Sequence, residues 1–346
     1  MRAQLNDQFH VLCYVYQLGS SCNFDRDIWL RGPLQVPTSR LRLQPNADEA
    51  ILAKLGYKQE FRRAFTPLEV FGVAFSYIGL LPSIASVLFY AAPNGGPLAM
   101  VWGWAIASVF IMCIGLAMAE LASAAPTSGG LYYWTYSLAS PRCRNFLAWI
   151  VGYSNTIQSI TAVASVDWAC AIQITAAVSI ASDQAYATTN EQLYGIYAAL
   201  VLSHAVLVSF GTRILARLQR LYILLNVCLC LVVIIVLPIV TPSEYRNSAN
   251  FALGEFTNSH QEATDSSVHM SEEAYECRHC DTMGNRINIS LTFCMGTDLN
   301  GILSSPIGQP MAQILYNSLG QRGALAVWCL VILAQYVLPA CSASIA

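Results

Sequence analysis

Charge is what this sequence has least of. Only 11% of its 346 residues are Asp, Glu, Lys or Arg, and 55% are hydrophobic. An ordinary soluble domain carries roughly 25% charged residues. Position matters more than amount: no charged residue stands between Glu69 and Glu120. Further uncharged runs occupy 145–166, 192–212, 221–243 and 323–346, each at least 21 residues long. A helix rising about 1.5 Å per residue needs about 20 residues to cross about 30 Å of hydrocarbon. These runs are apolar all round, whereas a soluble core helix needs only one apolar face. The pattern excludes an ordinary soluble domain and predicts an all-α integral membrane protein.

Other absences narrow the function. Six of the 12 cysteines (Cys113, Cys170, Cys228, Cys230, Cys329 and Cys341) lie inside apolar runs, where they behave as small hydrophobes, so no disulfide scaffold is expected. The spans hold no His/Asp/Glu constellation with catalytic or metal spacing, which argues against a membrane-embedded enzyme, a resident metal or a cofactor. Cys277 and Cys280 with His279 make at most half a zinc site, and no second pair completes it. The net charge of −2 says little about partners in a chain solvated by membrane; the partner that composition implies is the lipid bilayer, and no nucleic-acid partner is expected. Phe9–Gly19 is a short apolar stretch, but Arg2 alone supplies a basic flank, so residues 1–66 read as a largely disordered cytoplasmic tail rather than a signal peptide.

From 67 to 346 the chain reads as a membrane domain. The turn-rich Ala91-Ala92-Pro93-Asn94-Gly95-Gly96-Pro97 divides the first uncharged stretch, predicting spans at about 68–90 and 98–119. Others are predicted at about 145–171, 192–210, 219–239 and 323–343. Placing the N-terminus in the cytoplasm puts Lys54, Lys58, Arg62, Arg63, Arg142, Arg144, Arg213, Arg217 and Arg220 inside, and Arg246 alone outside. Nine against one is the bias that cytoplasmic loops show. Between the fifth and last spans the pattern degrades, over 258–298. Ile287–Thr297 is too short to cross alone, and 299–321 reads as a loop with a short helix. Asn288-Ile289-Ser290 is a glycosylation sequon, set in an apolar piece that the glycosylation machinery is not expected to reach.

The first span is interrupted by Gly79-Leu80-Leu81-Pro82-Ser83. Pro82 lacks an N–H and frees the carbonyl of Ile78, and Gly79 adds backbone freedom. Such a break is either an ordinary kink or a cavity lining. Asp167 is a costly carboxylate in an apolar span and so a functional candidate. About 22 residues past the start of its span, however, it reads best as sitting at the outer interface. His204 has no visible partner and reads as a packed neutral histidine.

The segment Glu120-Leu-Ala-Ser-Ala-Ala-Pro126-Thr127-Ser128-Gly129-Gly130-Leu131-Tyr132-Tyr133-Trp134, taken with the break, resembles the amino acid–polyamine–organocation superfamily of transporters. The resemblance is closest to the fungal-type permeases for GABA, choline and related amino compounds. Residues 48–82, 100–104, 150–157 and 306–313 resemble the same group. It implies a five-plus-five inverted-repeat fold with the substrate held near mid-membrane between two broken helices. Carried over by position, the first half-site is Gly79, Leu80, Leu81, Pro82 and Ser83. The second is Thr264, Asp265, Ser266 and Ser267, followed by a cytoplasmic half-helix over 268–274. Tyr153, Asn155 and Gln158 would line the cavity wall. The fifth span has no lysine, so Glu120, Asp265, Glu272, Glu273 and Asp167 are the coupling or gate candidates for a co-transported proton.

The resemblance also implies an incomplete repeat. Polar residues replace the half-helix before Thr264 and the start of the seventh helix, and no counterparts of helices 9–12 follow. The expected function is a secondary active transporter of small amino compounds, this polypeptide being impaired. The alternative is a non-transporting membrane protein that partners a full-length permease.

Overall fold

A computed structural model describes residues 72, 74, 75, 77–127, 129–186, 188–210, 212–256 and 278–343. The expected tail and the candidates Thr264, Asp265, Ser266, Ser267, Glu272 and Glu273 lie outside the described residues, as do the half-helix at 268–274 and Cys277. The chain divides into two compact units, Met1–Ala64 with Leu116–Thr161, and Phe65–Gly115 with Ala162–Ala346.

Among the described residues the regular elements are helical: α1 (Leu80–Ala91), α2 (Gly96–Ala124), α3 (Gly130–Leu138), α4 (Arg144–Ala181), α5 (Asn190–Phe210), α6 (Thr212–Leu231, continued to Val240), α7 (Ala249–Gly254), α8 (Arg278–Cys294), α9 (Leu299–Leu303) and α10 (Pro310–Ala343). Among the described residues five helical segments are long and apolar enough to cross a membrane: Gly96–Ala124, Arg144–Ala181, Asn190–Ser209, Leu221–Val240 and Pro310–Pro339. Wide apolar exposure fits a lipid-facing surface, as at Phe110, Leu202 and Ile239, each more than 65% exposed.

Helix boundaries differ from the sequence reading in several places, three of them instructive. The helix predicted to end near 171 runs on to Ala181, because uncharged polar residues such as Gln173 and Ser179 are buried and do not stop it. The piece taken as too short at 287–297 is the second half of α8, which begins nine residues earlier at Arg278. Its Gly284 faces the Trp104 indole, which a Cβ there would meet at 2.7 Å, so a side chain at this position would push the two helices apart. Over 299–321, α9 is the expected short helix, but helix resumes at Pro310 and joins the last span across a bend at Gly320 (φ 68°, ψ 175°).

The larger unit is organised around one apolar core. Leu80 and Leu81 of α1 are buried there with Leu229 and Leu237 of the α6 rod, Ile287 and Leu291 of α8, and Trp328 of α10. Within α6, Pro238 cannot donate to a carbonyl one turn back, and the rod widens into a π turn over Val232–Val236. The Ser290 hydroxyl of α8 donates to the freed Val233 carbonyl at 2.7 Å.

Helix ends on one side of this unit are closed by side chains. Asn247 donates from Nδ2 to the carbonyls of Thr292 (2.7 Å) and Gly296 (3.1 Å), while its backbone N–H reaches that of Phe293 (3.0 Å). Arg246 donates to the carbonyls of Thr241 (2.9 Å) and Ile239 (3.0 Å) at the end of α6. Gln321 donates to those of Ile180 (3.0 Å) and Ala181 (3.3 Å) at the end of α4. These are last-turn carbonyls that a helix cannot satisfy internally.

The sequon is buried in α8: Asn288 is 4% exposed and the Ser290 hydroxyl is engaged. Protein recovered from a eukaryotic host is expected to carry no glycan at Asn288. Endoglycosidase treatment should leave the electrophoretic mobility of wild type and Asn288→Gln alike.

In the smaller unit, the turn after α2 is held by the Trp134 indole, which donates to the Ala125 carbonyl at 3.0 Å. The Arg144 guanidinium lies 4.8 Å from the centre of the Tyr136 ring, a cation–π contact.

Candidate functional site

The interruption expected in the first span is present and is anchored at Gly79. Tyr77 and Ile78 are helical, Gly79 turns left-handed (φ 51°, ψ 52°), and α1 restarts at Leu80 without a side-chain cap. A left-handed residue costs little only when it has no Cβ, and space forbids a Cβ as well. One built at Gly79 would lie 2.9 Å from Leu338 Cδ1 and 3.2 Å from the Tyr222 hydroxyl. The break is therefore pressed between α10 and α6.

Pro82 frees the Ile78 carbonyl, and the Ser83 hydroxyl donates to it at 2.8 Å. One turn on, Ser86 donates to the Pro82 carbonyl at 2.9 Å, and Gln173 Nε2 of α4 donates to Ser86 Oγ at 3.2 Å. The Trp328 indole donates to the Gln173 carbonyl at 2.9 Å. A polar thread thus runs from the break in α1 through α4 to α10, inside an apolar core. Leu80, Leu81 and Pro82 are buried and Ser83 is half-buried. The sequence pointed to Gly79–Ser83 but not to Ser86, Gln173 or Tyr222, which sit far away in sequence or carry no motif.

The remaining candidates fall elsewhere. Tyr153 lies in the smaller unit and lines an open depression there with Tyr132, Ala148, Trp149, Gly152 and Thr156. Asn155 and Glu120 are exposed. Asp167 corrects the expectation of an interfacial carboxylate: it is fully buried, and its Oδ1 lies 2.9 Å from Nδ1 of His204. The reason is the longer helix, since α4 continues 14 residues beyond Asp167, about 21 Å at 1.5 Å per residue. His204, read as lacking a partner, also places Nε2 2.8 Å from the Tyr336 carbonyl of α10. Nothing in either sequence neighbourhood announces this pair, because its members stand 37 positions apart on different helices. Among the described residues no group of three or more His, Cys, Asp or Glu side chains is placed to hold a metal.

Among the described residues, long apolar helices and an interrupted first helix wedged into a packed core define a multi-spanning helical membrane protein. The chain belongs to the amino acid permease family, whose profile matches residues 65–271. It is 36% identical over 326 residues to the GABA-specific permease of Saccharomyces cerevisiae, covering 85% of this chain and 57% of that protein. An uncharacterized amino-acid permease of Schizosaccharomyces pombe is 33% identical over 322 residues, covering 84% of this chain and 58% of its own length. The amino-acid permease BAT1 of Arabidopsis thaliana is 31% identical over 332 residues, covering 84% and 64%. The chain thus spans about 57% to 64% of the length of these relatives. No solved structure matches it significantly.

Proposed function

We propose that this chain acts as a secondary transporter that moves small amino compounds across a membrane by alternating access, with the compound held at the α1 break. The observation that carries the reading is the left-handed Gly79 followed by Pro82, which takes a main-chain carbonyl out of the helix ladder inside an apolar core and leaves it to the Ser83 hydroxyl. A substrate ammonium group replaces the Ser83 hydroxyl at the Ile78 carbonyl. A substrate carboxylate is drawn to the positive start of α1 at Leu80 and Leu81. Thr264, Asp265, Ser266 and Ser267 supply the second half-site. Glu120, Glu272, Glu273 and Asp167 serve as gate or coupling groups for a co-transported proton. The relatives' names, a GABA-specific permease and amino-acid permeases, support amino acids, GABA or choline-like compounds as the substrate class. Nine basic residues on one side against one on the other support a cytoplasmic N-terminus.

The test is uptake of radiolabelled GABA, choline and amino acids by cells lacking their own carriers, with insertion of the chain verified separately. Wild type is expected to take up at least one compound above the vector control. Pro82→Ala supplies an N–H that competes with the substrate ammonium for the Ile78 carbonyl. Loss of a hydrogen bond to a charged group costs about 1.5–3 kcal/mol, so uptake should fall roughly 10- to 100-fold with insertion unchanged. No uptake by correctly inserted wild type would sink the transport reading in favour of a non-transporting partner of a full-length permease.

A further inference from the structure

The Asp167–His204 pair sets a constraint on protons that its geometry makes explicit. The Tyr336 carbonyl can only accept, so at 2.8 Å His204 Nε2 must carry a hydrogen. In a neutral imidazole Nδ1 is then a bare lone pair, and it lies 2.9 Å from the Asp167 carboxyl oxygen. Two acceptors do not rest at that distance without a proton between them. One proton therefore belongs to the pair, written either as carboxylic acid with neutral imidazole or as carboxylate with imidazolium. Removing it forces a choice. If the ring keeps Nε2–H, the contact with Asp167 opens; if the hydrogen moves to Nδ1, the bond to Tyr336 is lost.

Position and surroundings point the same way. Asp167 stands 14 residues before the end of α4, and His204 stands 14 residues after the start of α5. Counted from the turn joining these helices, both stand about 21 Å along their helices, so the two side chains meet at one level of the hairpin. Around them pack Cys170, Ala171 and Leu200, with Ile332 and Tyr336 of α10. The titratable neighbours are Cys170 on α4, Tyr197 on α5 and Tyr336 on α10, whose phenol donates to Ser203 Oγ at 2.9 Å. The charged residues Glu191 of α5 and Arg322 of α10 stand 13 and 14 positions from His204 and Tyr336 along their helices. Asp167 Oδ2 has no hydrogen-bond partner among the described residues. With its proton the pair has no net charge; without it, an uncompensated negative charge stays buried, which is costly.

We propose that Asp167 and His204 together bind a single proton, and that this proton fastens α10 to the α4–α5 hairpin. The pair is a proton-binding site distinct from the α1 break. Its release loosens one named joint, the contact of His204 with either Asp167 or Tyr336. If the chain transports as proposed above, this is where the co-transported proton rests; that clause alone depends on the transport reading.

The test uses the purified full chain in detergent or lipid nanodiscs, with the proton as the only ligand. The thermal midpoint is measured from pH 6 to 9 for wild type, Asp167→Asn and His204→Gln. An unfolded imidazole gives up its proton near ~6.5, while the folded pair still holds one. The folded chain then binds more protons, and stability must fall as pH rises. The unfolding constant is expected to grow about tenfold per pH unit until the pair empties. Asp167→Asn keeps a donor toward Nδ1 that does not titrate, and His204→Gln removes the imidazole. Both are expected to lose the alkaline slope. The proposal is overturned if the wild-type midpoint is flat, or if either folded variant keeps the wild-type slope. Because the readout is stability, it stands whether or not uptake is found.

Discussion

Replacing Gly79 by valine is expected to prevent recovery of folded protein, and replacing it by alanine to lower stability measurably. For an L residue the left-handed region costs roughly 1–2 kcal/mol, and a β-branched residue there is a genuine outlier. Gly79 holds φ 51° and ψ 52°, so both substitutions meet this cost and valine meets more. The surroundings add a second one. The new Cβ would stand 2.9 Å and 3.2 Å from the two terminal carbons of Leu338, and 3.2 Å from the Tyr222 hydroxyl. Overpacking of a well-filled core costs typically about 1–3 kcal/mol. Together these give about 2–5 kcal/mol for alanine. Size-exclusion profile and thermal midpoint in detergent read the result. A monodisperse valine variant with an unshifted midpoint would show that the break is not held as described.

Trp328→Ala is expected to be the most damaging truncation in the apolar core. Trp328 is fully buried and is the largest of the fully buried side chains. Large-to-small changes of this kind cost about 3–5 kcal/mol, because the cavity collapses only in part. Its indole also donates to the Gln173 carbonyl at 2.9 Å, so alanine removes a hydrogen bond from a buried acceptor as well. At about 2–4 °C per kcal/mol for a chain of this size class, the midpoint should drop by roughly 10 °C. Trp328→Phe separates the two contributions, since it keeps most of the volume and loses the N–H. It is expected to recover more than half of the loss. A shift of less than a few degrees for alanine would mean that the site refills.

What the sequence disclosed and what it hid follow from how each signal arises. Long uncharged runs mark where water is absent, so spans were legible wherever charge was missing for 20 residues or more. The same rule misplaces helix ends. Gln173 and Ser179 are polar enough to suggest an end near 171, yet α4 buries both and continues to Ala181. Likewise the charges of Arg278, Asp281 and Arg286 concealed the first half of α8. The break was legible because glycine and proline act on the backbone locally, and the Ile78 carbonyl freed by Pro82 is found capped by Ser83. The Asp167–His204 pair was illegible for the opposite reason. Its meaning depends on which helices touch, and no local pattern records that. Asp167 taken alone supported only a count from the start of its span, which does not reveal what packs against it.

The closed helix ends described for the larger unit bear on the bilayer the protein can inhabit. A helix whose last carbonyls depend on water must keep that end at the interface, so a thicker membrane would bury unsatisfied groups. Here Asn247, Arg246 and Gln321 provide the donors from within the chain. The carbonyls of Thr292, Ile239, Ile180 and Ala181 near the ends of α8, α6 and α4 therefore keep partners wherever the lipid surface falls, while the exposed guanidinium of Arg246 ties the end of α6 to the membrane surface.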